Sequence, residues 1–384
     1  MSTPRLALVS LVCLVGLSSS LAPAAADDAR AALLERGEGL LQSPISSVMD
    51  KELTAPSGDK RDYYAPAPYH WPNPKTSDGL PYILRDGQVN PDANTAKYDR
   101  VAYFRMGDAI ATLSVAYELS GDKRFAARAA QWLRTWFVDD ATRMNPNLEY
   151  AQCVPGRSTG LAIGLIRGMT LLDVARAARL LRGSDAWSDD DQAALDRWLT
   201  TYRGWLDESP LGKEESRAAN NHGTWYDAQR AVLSLYLGDR DAAQQVVESA
   251  RDNRLGKQLA PDGRQPLEML RTKSWDYSVM NLEAWIVLAD VGREVGADLW
   301  SYQTVDGRSI VRTLDYLESF ASGRQPWPRK DLKDFEPRAL VPMLRRAVIA
   351  RGDERYAAAA DMLGDDAASL LRARLLAVRV DAGQ

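Results

Sequence analysis

Helical periodicity, repeated along most of the chain, constrains the fold more than any other feature of this sequence. From about residue 95 onward, apolar residues recur at helical spacing, and short turns rich in Gly, Asp and Ser interrupt them. Three of these turns, "LSGDKRF", "LGDRDAA" and "ARGDERY", share one pattern in which Gly-Asp separates two helices. The segments predicted to be helical are 98–119, 125–137, 158–181, 188–206, 224–237, 242–254, 277–295, 308–320, 337–350, 354–363 and 367–378.

Antiparallel helix pairs that repeat in this way predict an all-α fold. We expect an α/α toroid of about six to seven helical hairpins, closed or partly open, in a single domain over residues 27–384. A solenoid of helical pairs has the same local pattern and stays an alternative. The sequence has no credible alternation of strands and helices and no Gly-rich phosphate loop.

The first 26 residues have the features of a signal peptide. Arg5 precedes an apolar stretch over residues 6–17, and Ala24 and Ala26 form an A-x-A cleavage pattern. The stretch is too short to predict a membrane span, and no later segment is long and apolar enough. We therefore expect a periplasmic or secreted protein that is cleaved after Ala26 and is not associated with a membrane.

Charge and cysteine content narrow the range of partners. The formal net charge is −4, which argues against a general nucleic-acid-binding protein, although an acidic protein can still have a locally positive cleft. Signal cleavage would leave Cys153 as the single cysteine, so no intramolecular disulfide is expected. We expect a monomer.

A long segment before the first predicted helix differs from the rest of the chain. Residues 63–94, "YYAPAPYHWPNPKTSDGLPYILRDGQVNPDAN", are rich in Pro, Gly, Asn and aromatic residues and lack helical periodicity. Long loops of this kind are usually functional or disordered, and the aromatic content argues against disorder. Aromatic side chains over a cleft suit carbohydrate binding, because sugar rings stack on flat apolar faces. A strap that merely covers the helices is the alternative interpretation.

Three segments contain the side chains best suited to catalysis or ligand binding. They are the region of His70 in "PYHWPNP", the run Asn220–Asn221–His222, and residues 261–285, which include Arg264, Glu268, Arg271 and Tyr277. The sequence has no His-x-x-x-His, Cys pair or calcium-loop spacing, so we expect neither a metal nor another cofactor. It also has no G-x-S-x-G motif of a serine hydrolase.

Amide, imidazole, guanidinium and phenol groups together suit β-elimination on a uronic acid polymer. A proton leaves the carbon next to the carboxylate, and the glycosidic oxygen on the neighbouring carbon departs. The enzyme must neutralise the carboxylate, stabilise the developing charge and supply a base and an acid. Tyrosine, with an unperturbed pKa of about 10, can serve in either role if cations favour its phenolate.

The motifs "YHWPNPKTSDGLPYILRDGQVNPD", "NNHGTWYDAQ" and the stretch from Arg271 to Tyr277 followed by "MNLEAW" resemble the alginate lyase-type polysaccharide lyases. Members of that family are secreted or periplasmic α/α-toroid enzymes that degrade uronate polysaccharides. The resemblance implies an acidic polysaccharide substrate, such as alginate, polymannuronate or glucuronan, cleaved by β-elimination to a 4,5-unsaturated uronate end.

The resemblance also implies roles for individual residues. Asn221 and His222 would bind and neutralise the substrate carboxylate. Tyr277 would act as the acid or as both acid and base, and Arg271 would support it. The residues expected to bind substrate are His70, Trp71, Tyr69, Asn220, Trp225 and Arg264.

One departure bears on the substrate. Alginate-specific members often continue the Asn-Asn-His motif with Ser-Tyr, whereas this chain has Gly223, Thr224 and Trp225. The Gly-Thr-Trp form resembles the glucuronan or mixed-uronate branch.

Two other classes of function remain open from the sequence. A glycoside hydrolase on an α/α toroid would need paired carboxylates, such as Glu214 or Glu215 with Asp227, Glu268 or Asp276. A non-catalytic sugar-binding protein would keep the aromatic loop and would not need Tyr277.

Overall fold

The computed structural model describes residues 23–381, and most of them are helical. The α-helices are α1 (Pro23–Leu41), α2 (Arg100–Ser120), α3 (Lys123–Leu133), α4 (Met169–Leu181), α5 (Asp189–Glu208), α6 (Pro210–Glu215), α7 (Asn221–Tyr236), α8 (Arg240–Ala250), α9 (Gly256–Gln258), α10 (Pro266–Met269), α11 (Ser274–Val295), α12 (Ile310–Ala321), α13 (Val341–Arg351), α14 (Glu354–Leu363) and α15 (Ala367–Ala377). Shorter 3₁₀ turns are Val48–Asp50, Pro91–Asn94, Ala162–Gly168 and Pro337–Leu340, and π-helical turns are Arg134–Val138 and Arg251–Leu255.

Within residues 23–381, six helices form a closed inner ring. Around the ring, α2 contacts α4, then α7, α11, α13 and α15 follow in order, and α15 returns to α2. Helices α1, α3, α5, α8, α12 and α14 pack outside this ring. The predicted α/α toroid is confirmed, and the ring has six members. The solenoid alternative is wrong, because a solenoid has two free ends and here the last long helix contacts the first helix of the ring.

The division into inner and outer helices follows from the residues. In α11, buried residues occur on almost every side of the helix, as expected for an element enclosed by neighbours. In α3, the buried side chains Phe125, Ala129, Trp132 and Leu133 lie on one face, and charged residues occupy the other. An apolar stripe on a polar helix places it at the periphery.

The Gly-Asp turns join the hairpins in the way that the sequence predicts. Gly121 ends α2 with a φ of 71°, a left-handed conformation that glycine adopts without steric cost. The carboxylate of Asp122 then accepts a hydrogen bond from the Arg124 amide and caps α3. Residues 238–239 and 352–353 repeat this arrangement before α8 and α14.

Some helix boundaries differ from the prediction. Residues 23–41 are helical although no helix was predicted there, and this helix packs against α2 and α15. The segment predicted to be helical from residue 158 becomes a 3₁₀ turn only at Ala162 and an α-helix at Met169. Gly160 explains this delay, because a Cβ atom there would lie 1.9 Å from the Glu149 carbonyl oxygen, so the chain is pressed against a neighbouring strand.

The aromatic segment 63–94 is ordered by short strands. Strand β1 (Tyr64–Pro66) pairs in parallel with β4 (Tyr150–Cys153), and β2 (His70–Trp71) pairs antiparallel with β3 (Ile83–Leu84). We call residues 63–94 the lid. Because β1 and β4 anchor its start, the rest of the lid projects as a hairpin over one mouth of the ring.

The predicted signal peptide lies mainly outside the described residues, so it stays a prediction. Among residues 23–381, no helix has both the length and the apolar composition needed to cross a membrane.

Candidate active site

A cleft of about 240 Å³ opens at the mouth of the ring beneath the lid. Four inner helices, α2, α4, α7 and α11, begin at or next to this cleft. Helix N-termini carry partial positive charge and free amide groups, so their convergence favours a bound anion. The side chains that line the cleft are Pro68, Tyr69, Arg100, Gln152, Ile163, Ile166, Arg167, Met169, His222, Arg271, Tyr277 and Met280.

His222 is held by a buried carboxylate. Asn220 caps α7 by accepting a hydrogen bond from the His222 amide, and this places the imidazole at the start of the helix. The His222 Nδ1 atom lies 2.7 Å from Oε1 of Glu215, which is almost completely buried at the end of α6. Because Nδ1 is engaged by Glu215, Nε2 is the ring nitrogen left for a ligand.

Asn221 is held by a second buried carboxylate. Its backbone amide and its side-chain Nδ2 each donate to Glu268, at 2.7 Å from Oε1 and Oε2 respectively. Burial raises the pKa of the Glu268 carboxyl group, although the two hydrogen bonds from Asn221 oppose that shift. Asn221 is completely buried and does not line the cleft, and its amide N–H groups are directed at Glu268 rather than at a substrate.

Arg271 is held by a carboxylate from the lid. Its Nη2 atom lies 2.6 Å from Oδ1 of Asp86, and the amide and hydroxyl groups of Thr272 donate to the other oxygen of the same carboxylate. Burial raises the pKa of Asp86, but the hydrogen bonds from Arg271 and Thr272 outweigh it and hold that pKa below its usual value. The pair is therefore ionised, and it fixes the lid to the loop before α11.

Tyr277 contacts both Arg271 and the lid. Nη2 of Arg271 donates to the Tyr277 hydroxyl at 2.9 Å, and the guanidinium carbon lies 3.9 Å from the centre of the phenol ring. The Tyr277 hydroxyl also lies 3.3 Å from the hydroxyl of Tyr69. Burial raises the pKa of Tyr277 above its ordinary value, the hydrogen bond with Tyr69 acts in the same direction, and Arg271 opposes both. The phenol is therefore protonated when the cleft is empty, and it can act as an acid.

Two further arginines occupy the opposite wall of the cleft. The guanidinium carbons of Arg100 and Arg167 lie 5.1 and 4.8 Å from the centre of the Phe104 ring. Burial lowers the pKa of Arg100, and the charge of Arg167 acts in the same direction. A substrate anion bound here would offset the repulsion between these two neighbouring cations.

The charge of the cleft is strongly one-sided. Three arginines and one histidine line it, and no carboxylate does among the residues that the structure describes. Glu215 and Asp86 instead lie behind the cleft and contact its lining residues His222 and Arg271. Glu268 accepts hydrogen bonds from Asn221, which does not line the cleft. The carboxylate pairs considered for a glycoside hydrolase are therefore not positioned across this cleft.

Several residues expected to bind substrate lie near the cleft without lining it. His70 is buried in the lid, and burial and the charge of Arg157 lower its pKa and favour the neutral ring. Trp71 donates from Nε1 to the Gln88 carbonyl and lies beneath Arg85. These residues shape the lid, whereas Tyr69 is the lid residue with its ring in the cleft.

The cleft is also not lined by Trp225 or Arg264, two more residues expected to bind substrate. Trp225 is completely buried between helices, so a substrate has no access to it. Arg264 lies on an exposed turn and pairs with Asp262 at 2.7 Å, away from the cleft. Asn220 likewise serves as the cap of α7, and its carbonyl accepts a hydrogen bond from Gln258.

No cluster of three or more metal-ligating side chains occurs among residues 23–381.

Comparison with known proteins assigns the family. The sequence model of the family described as alginate lyase matches residues 47–327. The crystal structure of an alginate lyase from Bacteroides ovatus is 34% identical, with a TM-score of 0.85 over 90% of this chain and 93% of that chain.

The chain belongs to the alginate lyase family.

This lyase has the same fold as more distant structures. Alginate lyase A1-III from a Sphingomonas species matches with a TM-score of 0.56 and 17% identity over 90% of this chain and 96% of that chain. A structure of alginate lyase A1-III complexed with a tetrasaccharide matches with a TM-score of 0.53. None of the curated proteins compared with the chain matches it. Family membership makes this protein a polysaccharide lyase.

Sequence reasoning missed part of the lyase cleft. Arg100, Gln152 and Arg167 were not singled out, because each lies in a helix or strand whose local pattern signals only secondary structure. Gln152 carries one structural signal, a φ of 53° that is uncommon for a residue other than glycine. That conformation is invisible in the sequence.

Proposed function

We propose that this lyase cleaves a β-1,4-linked uronate polymer of the alginate type by β-elimination. The observation that carries the proposal is the convergence of the Tyr277 phenol, the His222 imidazole and the Arg271 guanidinium in a cleft without a lining carboxylate among the described residues. This set suits proton transfer next to a carboxylate, and it lacks the acid–base pair of a hydrolase.

The arginines are the groups suited to bind the substrate carboxylate. Arg100 and Arg167 have no salt-bridge partner among the described residues, so their charges are available to an anion. The charge-assisted hydrogen bonds that they offer strengthen as negative charge develops in the transition state. Arg271 shares its charge with Asp86 and is better placed to orient Tyr277.

His222 is the group best suited to accept the proton. With Nδ1–H donated to Glu215, a neutral imidazole presents the lone pair of Nε2 to the cleft. The C5–H bond of the uronate breaks, its electron pair forms the new double bond, and the bond to the glycosidic oxygen breaks. Tyr277 then protonates the leaving oxygen, which is the task that its raised pKa favours.

In this proposal Asn221 does not contact the substrate and acts through Glu268. It fixes Glu268, which lies three residues before Arg271, and the Arg271 amide donates to the Glu268 carbonyl at 3.1 Å. Asn221 is thus a positioning residue that connects the start of α7 with the loop carrying Arg271.

The Gly-Thr-Trp sequence after His222 does not argue against alginate. Gly223 leaves room for the Arg254 side chain, Thr224 donates to Gln258 at 2.8 Å, and Trp225 is buried. All three residues serve packing, and none lines the cleft. The difference from the Ser-Tyr form therefore changes the support of the site rather than its contact surface.

Parallel assays on polymannuronate, polyguluronate, glucuronan and cellulose oligomers test the proposal. Ultraviolet absorbance reports the conjugated double bond of an unsaturated uronate, and a colorimetric assay counts new reducing ends. We expect absorbance to rise with polymannuronate, with glucuronan as the next candidate, and no reaction with the neutral glucan. New reducing ends without a double bond, or cleavage of the neutral glucan, would overturn the proposal.

A further inference from the structure

A second cavity, of about 780 Å³, lies outside the ring beside the catalytic cleft. Its walls are the ends of α5 and α8, helix α6, the outer face of α7 and the connector of residues 216–220 between α6 and α7. We call it the lateral cavity. It shares no lining residue with the catalytic cleft, so a ligand there would occupy a separate site.

The lateral cavity carries an excess of positive charge. It contains two carboxylates, and both are paired, because Asp207 contacts Arg230 at 2.5 Å and Asp227 contacts Arg254 at 2.7 Å. Three more cations lack an ion-pair partner anywhere in the described part of the chain: Lys213, Arg217 and Lys257. These three charges remain unbalanced on a protein whose overall net charge is negative.

The wall of the lateral cavity is rigid. The Arg254 guanidinium donates to the carbonyls of Ser216 and Ala218, at 3.0 and 2.6 Å, in addition to its pair with Asp227. Arg254 belongs to the π-helical turn Arg251–Leu255, which widens the end of α8. Such turns occur frequently at functional sites. The cations are therefore presented on a fixed surface rather than on a mobile loop.

The connector joins the lateral cavity to the catalytic cleft. Its residues Ala218 and Ala219 line the lateral cavity, and the residues at its two ends are Glu215 and Asn221, which hold His222 and Glu268. A polymer that leaves the cleft past His222 would therefore reach the unpaired cations after crossing one short connector. A polyuronate carries one carboxylate on each sugar, so consecutive sugars could use both sites.

We propose that the lateral cavity is a second binding site for the acidic polysaccharide, in which Lys213, Arg217 and Lys257 contact uronate carboxylates outside the catalytic cleft. This inference rests on the proposed function for the identity of the ligand. The small catalytic cleft would select the bond to be cleaved, and the lateral cavity would retain the polymer. Longer substrates should then bind more tightly than short ones, with an affinity that falls as salt is added.

The test combines Lys213→Ala, Arg217→Ala and Lys257→Ala in a Tyr277→Phe background, where substrate can bind without rapid cleavage. The control combines Arg182→Ala, Arg197→Ala and Arg312→Ala, which removes three exposed cations elsewhere on the surface. Calorimetric titration with long polymannuronate should show an affinity lower by about tenfold in the first combination and unchanged in the control.

Turnover in the wild-type background separates the lateral cavity from the cleft. With the three cavity substitutions, KM for the polymer should rise. For a trisaccharide, both kcat and KM should stay unchanged. Lys257→Glu alone should raise KM for the polymer and leave the melting temperature unchanged. Equal affinity of the cavity and control combinations for the polymer would overturn this inference while leaving the proposed function intact. A wild-type protein that yields no unsaturated product would instead contradict the proposed function.

Discussion

His222 has two ring nitrogens with different surroundings, and this asymmetry determines its chemistry. Nδ1 is bound to the buried Glu215, and Nε2 is left for the substrate. A proton acceptor must be neutral before it reacts, whereas a binder of carboxylate works best as a cation.

We predict that His222→Ala reduces kcat/KM by about 10²–10⁴-fold, because the Nε2 lone pair that accepts the proton in the proposed reaction is lost. Steady-state assays of both proteins on polymannuronate measure the difference. A variant that keeps the wild-type kcat/KM would contradict a catalytic role for His222.

We predict that ionisation of Tyr277 does not change the rate on the mildly alkaline side of the pH–rate profile. Its raised pKa keeps the phenol protonated through neutral and mildly alkaline conditions, so an acid is present throughout that range. The neighbouring groups that face Tyr277 are Arg271, Tyr69 and, behind them, Asp86.

Gly223 is required by packing rather than by the reaction. A Cβ atom at this position would lie 1.9 Å from Nη1 of Arg254 and 2.2 Å from the Ala218 carbonyl oxygen. Either Arg254 or the connector would have to move, and both support the start of α7.

We predict that Gly223→Ala lowers the free energy of unfolding by about 1–3 kcal/mol, the usual cost of overpacking. Gly204→Ala is the matched control, because Gly204 lies within α5 and a Cβ atom there meets no atom within 4 Å. That change should be neutral or slightly stabilising. Equal melting temperatures for the two variants would show that Arg254 and the connector can move to accommodate the Cβ atom without loss of stability.

Sequence reasoning singled out His222 and Tyr277, which line the cleft, and did not predict which side chains hold the site together. His222 and Tyr277 are conspicuous because histidine is rare in this chain and the motifs around them are distinctive. Their supporting carboxylates are ordinary surface-type residues in the sequence. Glu268 lies 47 residues from Asn221, and Asp86 lies 185 residues from Arg271. Only tertiary packing brings these partners together.

At the scale of elements, an ion pair at Asp86 and a close approach at Gly87 help to hold the lid against the loop before α11. Asp86 binds Arg271 and Thr272, and at Gly87 a Cβ atom would lie 2.5 Å from the Thr272 hydroxyl oxygen. The same ion pair orients the arginine that donates to Tyr277. Lid closure and placement of the acid are therefore coupled through Arg271.

We predict that Asp86→Asn increases hydrogen–deuterium exchange across residues 63–94 and lowers kcat/KM, because the ion pair that docks the lid is lost. Asp92→Asn, which removes an exposed pair with Lys97 in the same segment, is the control and should change neither quantity. Unchanged exchange in Asp86→Asn would show that the lid docks without this pair.

The pH dependence of lid docking follows from the direction of the Asp86 shift. Because its pKa is lowered from 3.8, the carboxylate contributes to docking above that value and loses its contribution only as pH falls through the lowered pKa. Exchange of the lid should therefore be the same in neutral and mildly acidic buffer.

Helices were easier to predict from the sequence than the lid. The outer helices carry an apolar stripe and the Gly-Asp turns separate them, so local pattern and tertiary structure agree. The strands of the lid have only two or three residues, and β1 depends on pairing with the distant β4. Segments this short carry no readable periodicity. The helix over residues 23–41 was missed because it begins inside the predicted signal peptide of residues 1–26.

At the scale of the whole molecule, ion pairs across the ring help to close it. Arg372 on α15 binds Asp173 on α4 and Glu283 on α11, so one side chain connects three inner helices. Arg176 lies 3.6 Å from Asp173 in the same network, and burial lowers its pKa to about 10. The two contacts of Arg372 join helices of different hairpins, so they favour the closed ring over an open array.

We predict that Arg372→Met lowers the free energy of unfolding by about 3–5 kcal/mol, because two carboxylates lose their shared partner in the interior. The control is Lys123→Met, which breaks an exposed pair with Asp185 and should leave the free energy of unfolding almost unchanged. Chemical denaturation of both variants measures the difference. A change for Arg372→Met as small as that of the control would show that apolar packing alone closes the ring.

The central claim is that Tyr277 protonates the leaving oxygen in a β-elimination, and one measurement tests it most directly. Wild-type protein and Tyr277→Phe are incubated with polymannuronate, and unsaturated ends and new reducing ends are counted in the same samples. The wild-type lyase should give one double bond for each new reducing end, and Tyr277→Phe should bind the polymer but react about 10²–10⁴-fold more slowly. Reducing ends without matching double bonds, or a variant that keeps most of the wild-type rate, would contradict the account.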